Sequence, residues 1–168
     1  MPCLARLAAP TSAELFLDPM CGGGTIALEA ALGVPCKAVI CGDVDPEAVA
    51  ATRQNSDAAG AALGVLGWDV RALPLTDGAV DTIATNMPYG KDVTLGDPAA
   101  FIKELLRELA RVLRPSGRLV LLSRHRALVR RQVARTSTFK IRDELQINIH
   151  GFDLNLFVMD RAGGRSHG

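Results

Sequence analysis

The sequence predicts an α/β protein built on a doubly wound, mostly parallel sheet, and three observations carry that prediction. Short apolar runs of strand length alternate with longer helix-like stretches along most of the chain. Two Asp-Pro pairs, Asp45-Pro46 and Asp97-Pro98, place a capping carboxylate just ahead of a proline, the order that opens a helix. Near the C-terminus two strand-like runs flank His150-Gly151-Phe152-Asp153, which reads as an antiparallel hairpin closing the sheet edge. Counting the runs gives a Rossmann-like sheet of seven strands.

Each element has a local reason. Pro2 to Ala9 reads as the end of a helix, and Glu14 to Leu17 as the first strand. Thr25 to Leu32 is a helix stopped by Gly33 and Pro35. Ala38 to Cys41 is the second strand. The helix capped by Asp45 runs to Ala59 and is ended by Gly60. Val65 to Trp68 and Val80 to Thr85 are the third and fourth strands. The helix opened by Asp97 runs to Leu113, with Phe101, Leu105, Leu109 and Val112 on its apolar face, and stops before Pro115. Leu119 to Ser123 is the fifth strand, Arg126 to Arg135 an Arg-rich helix, and Arg142 to Ile149 and Leu154 to Asp160 the closing pair. One domain over residues 1–162 is expected, with 163–168 as a flexible tail.

A chain of 168 residues is long enough for one core, and its 48% apolar content with 4% aromatics suits a core of Ala, Val and Leu. No apolar run reaches membrane-spanning length and the first thirteen residues lack a secretory core, so a soluble, cytoplasmic protein without membrane association is expected. Cys3, Cys21, Cys36 and Cys41 show no paired metal-ligand spacing and read as small buried thiols. The net charge of +1 hides a basic stretch: residues 103–142 hold twelve Lys and Arg against Glu104 and Glu108. That stretch is either a footprint for nucleic acid or an ordinary solvated helix face.

Two short motifs carry the chemistry. The first, Asp18-Pro19-Met20-Cys21-Gly22-Gly23-Gly24-Thr25, follows the first strand and opens a helix. Its glycines let main chain approach a ligand at the carboxyl edge of the sheet. Asp18 can accept a hydrogen bond from an ammonium group. Asp43, at the end of the second strand, can hold both hydroxyls of a ribose, and Asp69, at the end of the third, can accept from an adenine amine. Three acids on three successive strands fit a cationic adenosyl ligand better than a dinucleotide, whose pyrophosphate tolerates no crowding carboxylates. That ligand is S-adenosylmethionine. The candidate cofactor set is Asp18, Pro19, Cys21, Gly22, Gly24, Thr25, Asp43, Val44, Asp69, Val70 and Asn86.

The second motif, Asn86-Met87-Pro88-Tyr89-Gly90, ends the fourth strand. An amine conjugated to a base is a poor nucleophile, and acceptors on its two hydrogens stabilise the positive charge that develops during attack. The Asn86 side-chain oxygen and the Met87 carbonyl are the candidate acceptors. Pro88 fixes the loop and Tyr89 stacks on an extruded base. Lys91 reads equally as a phosphate contact or a solvated lysine. His125 reads as a helix-start residue and not a base, and His150 and His167 have no evident partners, so no metal site is expected.

With these residues the chain resembles the class I S-adenosylmethionine-dependent methyltransferases, and more narrowly the catalytic domain of THUMP-associated RNA methylases. The resemblance rests on Asp18 to Gly22 with Gly24 and Thr25, on Gly42-Asp43, on Trp68-Asp69, and on Asn86 to Lys91. It implies methyl transfer to the exocyclic N2 of guanosine in RNA, with tRNA the expected substrate. It also implies that Asp18, Gly22 and Gly24 line the methionine part of the cofactor, Asp43 the ribose and Asp69 the adenine. Asn86, Pro88 and Tyr89 would hold the target amine. Members of that family capture RNA through a separate N-terminal region, so RNA is expected to arrive either that way or through the Arg-rich segment 103–142. DNA adenine-N6 or protein-glutamine methylation, and a non-catalytic cofactor-binding subunit, are the alternative readings.

Overall fold

The computed structural model describes residues 4–88, 96–149 and 151–163. The first half runs α1 (Leu4–Ala8), β1 (Leu15–Asp18), α2 (Thr25–Gly33), β2 (Ala38–Asp43), α3 (Pro46–Ala59), β3 (Leu63–Gly67) and β4 (Val80–Asn86). The second half runs α4 (Pro98–Val112), β5 (Leu113–Ser123), α5 (Arg126–Thr136), β6 (Phe139–Ile149) and β7 (Phe152–Arg161). The seven strands form one sheet in the order β3-β2-β1-β4-β5-β7-β6. β7 lies between β5 and β6 and is antiparallel to both, while the other pairs are parallel. The expected fold class is the observed one.

This order positions the site. β1 pairs with β2 on one side and with β4 on the other, so the winding reverses between β1 and β4. Loops leaving neighbouring strands at such a reversal splay apart and leave a crevice at the carboxyl edge. The first motif leaves β1 there and the second leaves β4.

Strand residues alternate between two cores, as the pleat requires. Leu17, Ile83, Leu119, Leu121 and Phe157 face α4 and α5, meeting Leu105, Leu109, Val129 and Val133. Phe16, Ala84, Val120, Leu122 and Leu156 face the opposite side, meeting Ala5, Ala27 and Ala30 of α1 and α2. The two Asp-Pro starts behave as expected: Asp45 accepts from the Glu47 N–H and Asp97 from the Ala99 N–H, both at 2.9 Å. The connection before β4 is tied down by Glu108, buried on α4. It accepts from the Leu73 N–H at 2.8 Å and from the Arg111 guanidinium at 2.6 Å. Among the described residues no helix is long and apolar enough to cross a membrane.

Several strands start or end a few residues from expectation, and two of these boundaries have clear physical reasons. α4 ends at Val112 and Leu113 already pairs with Val80, so β5 begins well before Leu119. Pro115 does not break this strand because it falls at an irregularity, where the register shifts between Val80 and Thr82. Ser116 takes φ 62° there. A Cβ on Gly117 would come within 2.8 Å of the Asp81 carbonyl, so the close approach needs glycine. The third strand ends at Gly67, one residue before Trp68, whose ring turns back toward the first motif.

Candidate functional site

The glycine-rich loop after β1 is held by main-chain and side-chain contacts from three other segments. The Cys21 N–H donates to the Gly42 carbonyl at 3.0 Å. The Gly22 N–H donates to Asp43 Oδ2 at 2.9 Å, and Thr52 Oγ1 on α3 donates to the Gly22 carbonyl at 2.7 Å. Asn55, one turn further along α3, donates through Nδ2 to the Gly23 carbonyl at 2.9 Å. The indole N–H of Trp68 donates to the Pro19 carbonyl at 3.0 Å. Gly24 takes φ 86° at the start of α2, and a Cβ there would collide with Thr52 Cγ2 at 2.8 Å. Gly42 is equally constrained: a Cβ would stand 2.4 Å from the Leu66 carbonyl and 2.6 Å from the Trp68 ring. Thr52, Asn55 and the locking role of Trp68 are absent from the motif-based reading. Thr52 and Asn55, three apart on α3, share one helix face, but among Arg53, Gln54, Ser56 and Asp57 no pattern in the sequence singles them out.

The loop borders a cleft of about 880 Å³ whose walls also include Asp43, Asp69, Asn86 and Pro88. The two motifs therefore face one another across a single cleft. They are joined directly at its base, where Thr85 Oγ1 donates to Asp18 Oδ1 at 2.9 Å. Leu4 of α1 and Phe101 of α4 close the remaining apolar sides, and neither was expected from the motifs.

The structure places the candidate residues as follows. Asp18 is fully buried beneath the cleft. Its Oδ1 is bonded to Thr85 and its Oδ2 has no hydrogen-bond partner. Burial, then the neighbouring Cys21, pushes its carboxyl up to about 8. Pro19, Cys21, Gly22 and Thr25 line the cleft, whereas Gly24 is buried and shapes the turn. Asp43 is half-buried at the cleft wall, bracing the loop through Gly22 and accepting from the Asp45 N–H at 3.1 Å. Val44 is 73% exposed beside it, and Val70 lines the opposite end from a buried position.

Asp69 also lines the cleft, but its carboxylate is gripped by Arg71, with Nη2 2.6 Å from Oδ2 and Nε 3.0 Å from Oδ1. That guanidinium holds the Asp69 carboxyl below the usual carboxylate range. A ligand at Asp69 shares it with Arg71. Asn86 is half-buried, and its Oδ1 is an enclosed acceptor with no partner. The Met87 side chain belongs to the core, and its N–H donates to the Leu122 carbonyl at 2.9 Å, leaving its carbonyl to the loop. Pro88 lines the cleft. Tyr89, Gly90, Lys91, His150 and His167 lie outside the described residues.

Cys21, Cys36 and Cys41 are free thiols. The hydrogen bond from Cys41 holds the Cys21 thiol down, and the same contact with burial pushes Cys41 up. His125 opens α5 without a side-chain cap, and burial lowers its basicity. Among the described residues no group of His, Cys, Asp and Glu is arranged to hold a metal ion.

The arrangement has a clear chemical character. Among the described residues, Asp43, Asp45 and Asp69 stand at the rim against a single cation, Arg71, so this part of the cleft favours a cation over a phosphate. Asn86 Oδ1, enclosed and unpaired in the cleft wall, marks where a donor of a ligand would be satisfied, whereas Asp18, also with an unpaired oxygen, is fully buried and does not itself line the cleft.

Comparison with known proteins agrees with this geometry. The chain is 40% identical over 121 residues to the U6 snRNA (guanine-N(2))-methyltransferase THUMPD2 of Bos taurus, covering 71% of this chain and 24% of that one. It is 34% identical over 164 residues to the tRNA (guanine(6)-N2)-methyltransferase of Thermus thermophilus, covering 94% and 48%. The crystal structure of TrmN from Thermus thermophilus superposes with a TM-score of 0.82 at 32% identity, over 94% of this chain and 47% of that one. The chain thus spans between a quarter and a half of the length of these relatives. The model of the family described as UPF0020, RMKL-like, methyltransferase domain, matches residues 2–155, and the chain belongs to that family.

Proposed function

We propose that this domain binds S-adenosylmethionine and methylates the exocyclic N2 of guanosine in RNA, with tRNA as its substrate. The observation that carries the reading is the enclosed, unpartnered Asn86 Oδ1 facing an acid-rimmed cleft. The cofactor supplies an electrophilic methyl carbon on a positively charged sulfur. The chain's residues bind and orient. Asp43 accepts from ribose hydroxyls, Asp69 from the adenine amine and Asp18 from the ammonium group. Asn86 Oδ1 and the Met87 carbonyl accept from the two N–H groups of the target amine. They aim its lone pair into the cleft and stabilise charge developing on nitrogen. Asn86 is neutral and takes no proton, so the proton leaves to solvent after transfer. Pro88 and Tyr89 frame the flipped base. The guanine-N2 choice is supported by the names of the relatives, and the basic segment favours a nucleic acid over a protein substrate. RNA is captured by the basic surface of this domain or by a separate RNA-binding region.

The test is transfer of labelled methyl groups to bulk tRNA, followed by nucleoside mass spectrometry. Asn86→Ala is expected to leave cofactor affinity nearly unchanged and to lower turnover about 100-fold. Asp43→Ala is expected to weaken cofactor binding first. Full activity in Asn86→Ala removes the proposed role of the loop.

A further inference from the structure

The basic charge of segment 103–142 is redistributed by folding. Arg111 is held by Glu108 and Asp77, and Arg114 by Glu14 and Asp81. Arg118 and Arg142 share Asp160, and Arg126 and Arg130 share Glu144. Most of these acids come from outside the segment, so half of its cations already have a carboxylate partner. Lys103, Arg107, Arg124, Arg131, Arg135 and Lys140 are exposed and have no ion-pair partner among the described residues.

Half of these six free cations come together. Lys103, Arg131 and Arg135 line one groove of about 190 Å³ between α4 and α5, with Ala99, Ala100 and Gln132 beside them. Among the described residues no carboxylate lines it. Arg107 stands one turn beyond Lys103 on the same side of α4. Three like charges around a small groove repel one another, and a bound anion removes that repulsion. The alanine side chains leave room for a bulky anion, and Gln132 adds a neutral donor.

We propose that this groove seats the phosphodiester backbone of the substrate RNA, a role that rests on the RNA reading of the cleft. Position supports it as well as charge. The opening turns of α4 give Phe101 to the cleft and Ala99, Ala100 and Lys103 to the groove. A strand whose base enters the cleft therefore passes its neighbouring phosphates along α4 toward Arg131 and Arg135.

The test is anisotropy of labelled tRNA across a salt series with the full chain. Replacing Lys103, Arg131 and Arg135 together by Gln is expected to weaken binding and to flatten the log–log salt slope by about 2–3, the release expected from three phosphates. KM for tRNA should rise while kcat and cofactor affinity stay put. Each single Gln variant should show about a third of the slope change. The control is Arg126→Gln with Glu144→Gln, which removes one cation together with its carboxylate partner, leaves the net charge unchanged and should matter little. An unchanged slope and KM in the triple variant overturns the groove, as does an equal effect in the control pair. Wild-type protein that binds tRNA with the expected slope dependence yet methylates nothing supports the groove and sinks the functional reading instead. Acidic protein bound through these cations, with no wild-type affinity for RNA, overturns the groove assignment.

Discussion

Replacing Asp18 by Asn isolates one proton. The Asp18 carboxyl has no exposed surface and its Oδ2 lacks a partner, so ionising it places a negative charge in a dry site. Burial, then Cys21, lifts its pKa from 3.8 to about 8, against the opposing pull of the Thr85 hydroxyl and the Met20 N–H. Between those two values the folded chain holds one proton that the unfolded chain has released. Stability is therefore greatest below the unfolded value and declines as pH rises toward the folded one. About four pH units at ~1.4 kcal/mol each set a ceiling near 6 kcal/mol, a large part of the roughly 5–15 kcal/mol that holds a domain together. Asn keeps the shape and carries no titrating proton. Urea midpoints measured at pH 5, 6 and 7 should show the wild type losing about 1 kcal/mol per unit relative to Asp18→Asn. Parallel profiles for the two proteins would refute the argument. The same proton should report on the ligand. An ammonium group beside Asp18 favours the carboxylate, so cofactor binding near neutral pH should release close to one proton, read as a buffer-dependent calorimetric enthalpy. The Asn variant should release none.

Gly42→Ala sets a methyl group against the Leu66 carbonyl, a backbone atom that cannot turn aside, and should cost about 3 kcal/mol in urea unfolding. A loss under about 0.5 kcal/mol would show that the strands separate more easily than the packing implies. Trp68→Phe keeps the ring buried but removes the donor to the Pro19 carbonyl, an acceptor then left unpaired at a cost of about 1–3 kcal/mol. Cofactor affinity should fall with stability in that variant. Calorimetric affinity equal to wild type would mean that the indole does not position the loop.

Parts of this molecule that are written in neighbouring residues were legible in the sequence. The Asp-Pro starts of α3 and α4 and the glycine stop at Gly60 depend on contacts within one helical turn. The alternation of apolar faces depends only on backbone period. What was not legible depends on partners distant in the chain. Pro115 and Gly117 look like a break in the strand, and only the facing Asp81 carbonyl makes them a bulge inside β5. The basic segment reads as a uniform field because Glu14, Asp77, Asp81, Glu144 and Asp160 are scattered elsewhere. Folding brings them onto six of its ten arginines and leaves a groove lined by unpaired cations.

The site divides along the same line. Residues that would touch ligand, such as Asp43 and Asn86, lie at strand ends and declare themselves by position. The residues that hold them do not, because their work is done through main-chain atoms of other segments. Thr52, Asn55, Trp68 and Gly42 each engage a different peptide group of the loop after β1, so its shape is fixed several times over. Removing any one weakens the loop without freeing it, whereas each hydrogen of the target amine has one acceptor in the proposed arrangement, Asn86 Oδ1 for one and the Met87 carbonyl for the other. Single substitutions among the loop's supports should thus lower cofactor affinity by degrees, whereas loss of the acceptor Asn86 should cost turnover at once. That asymmetry follows from counting which atoms have substitutes in the structure.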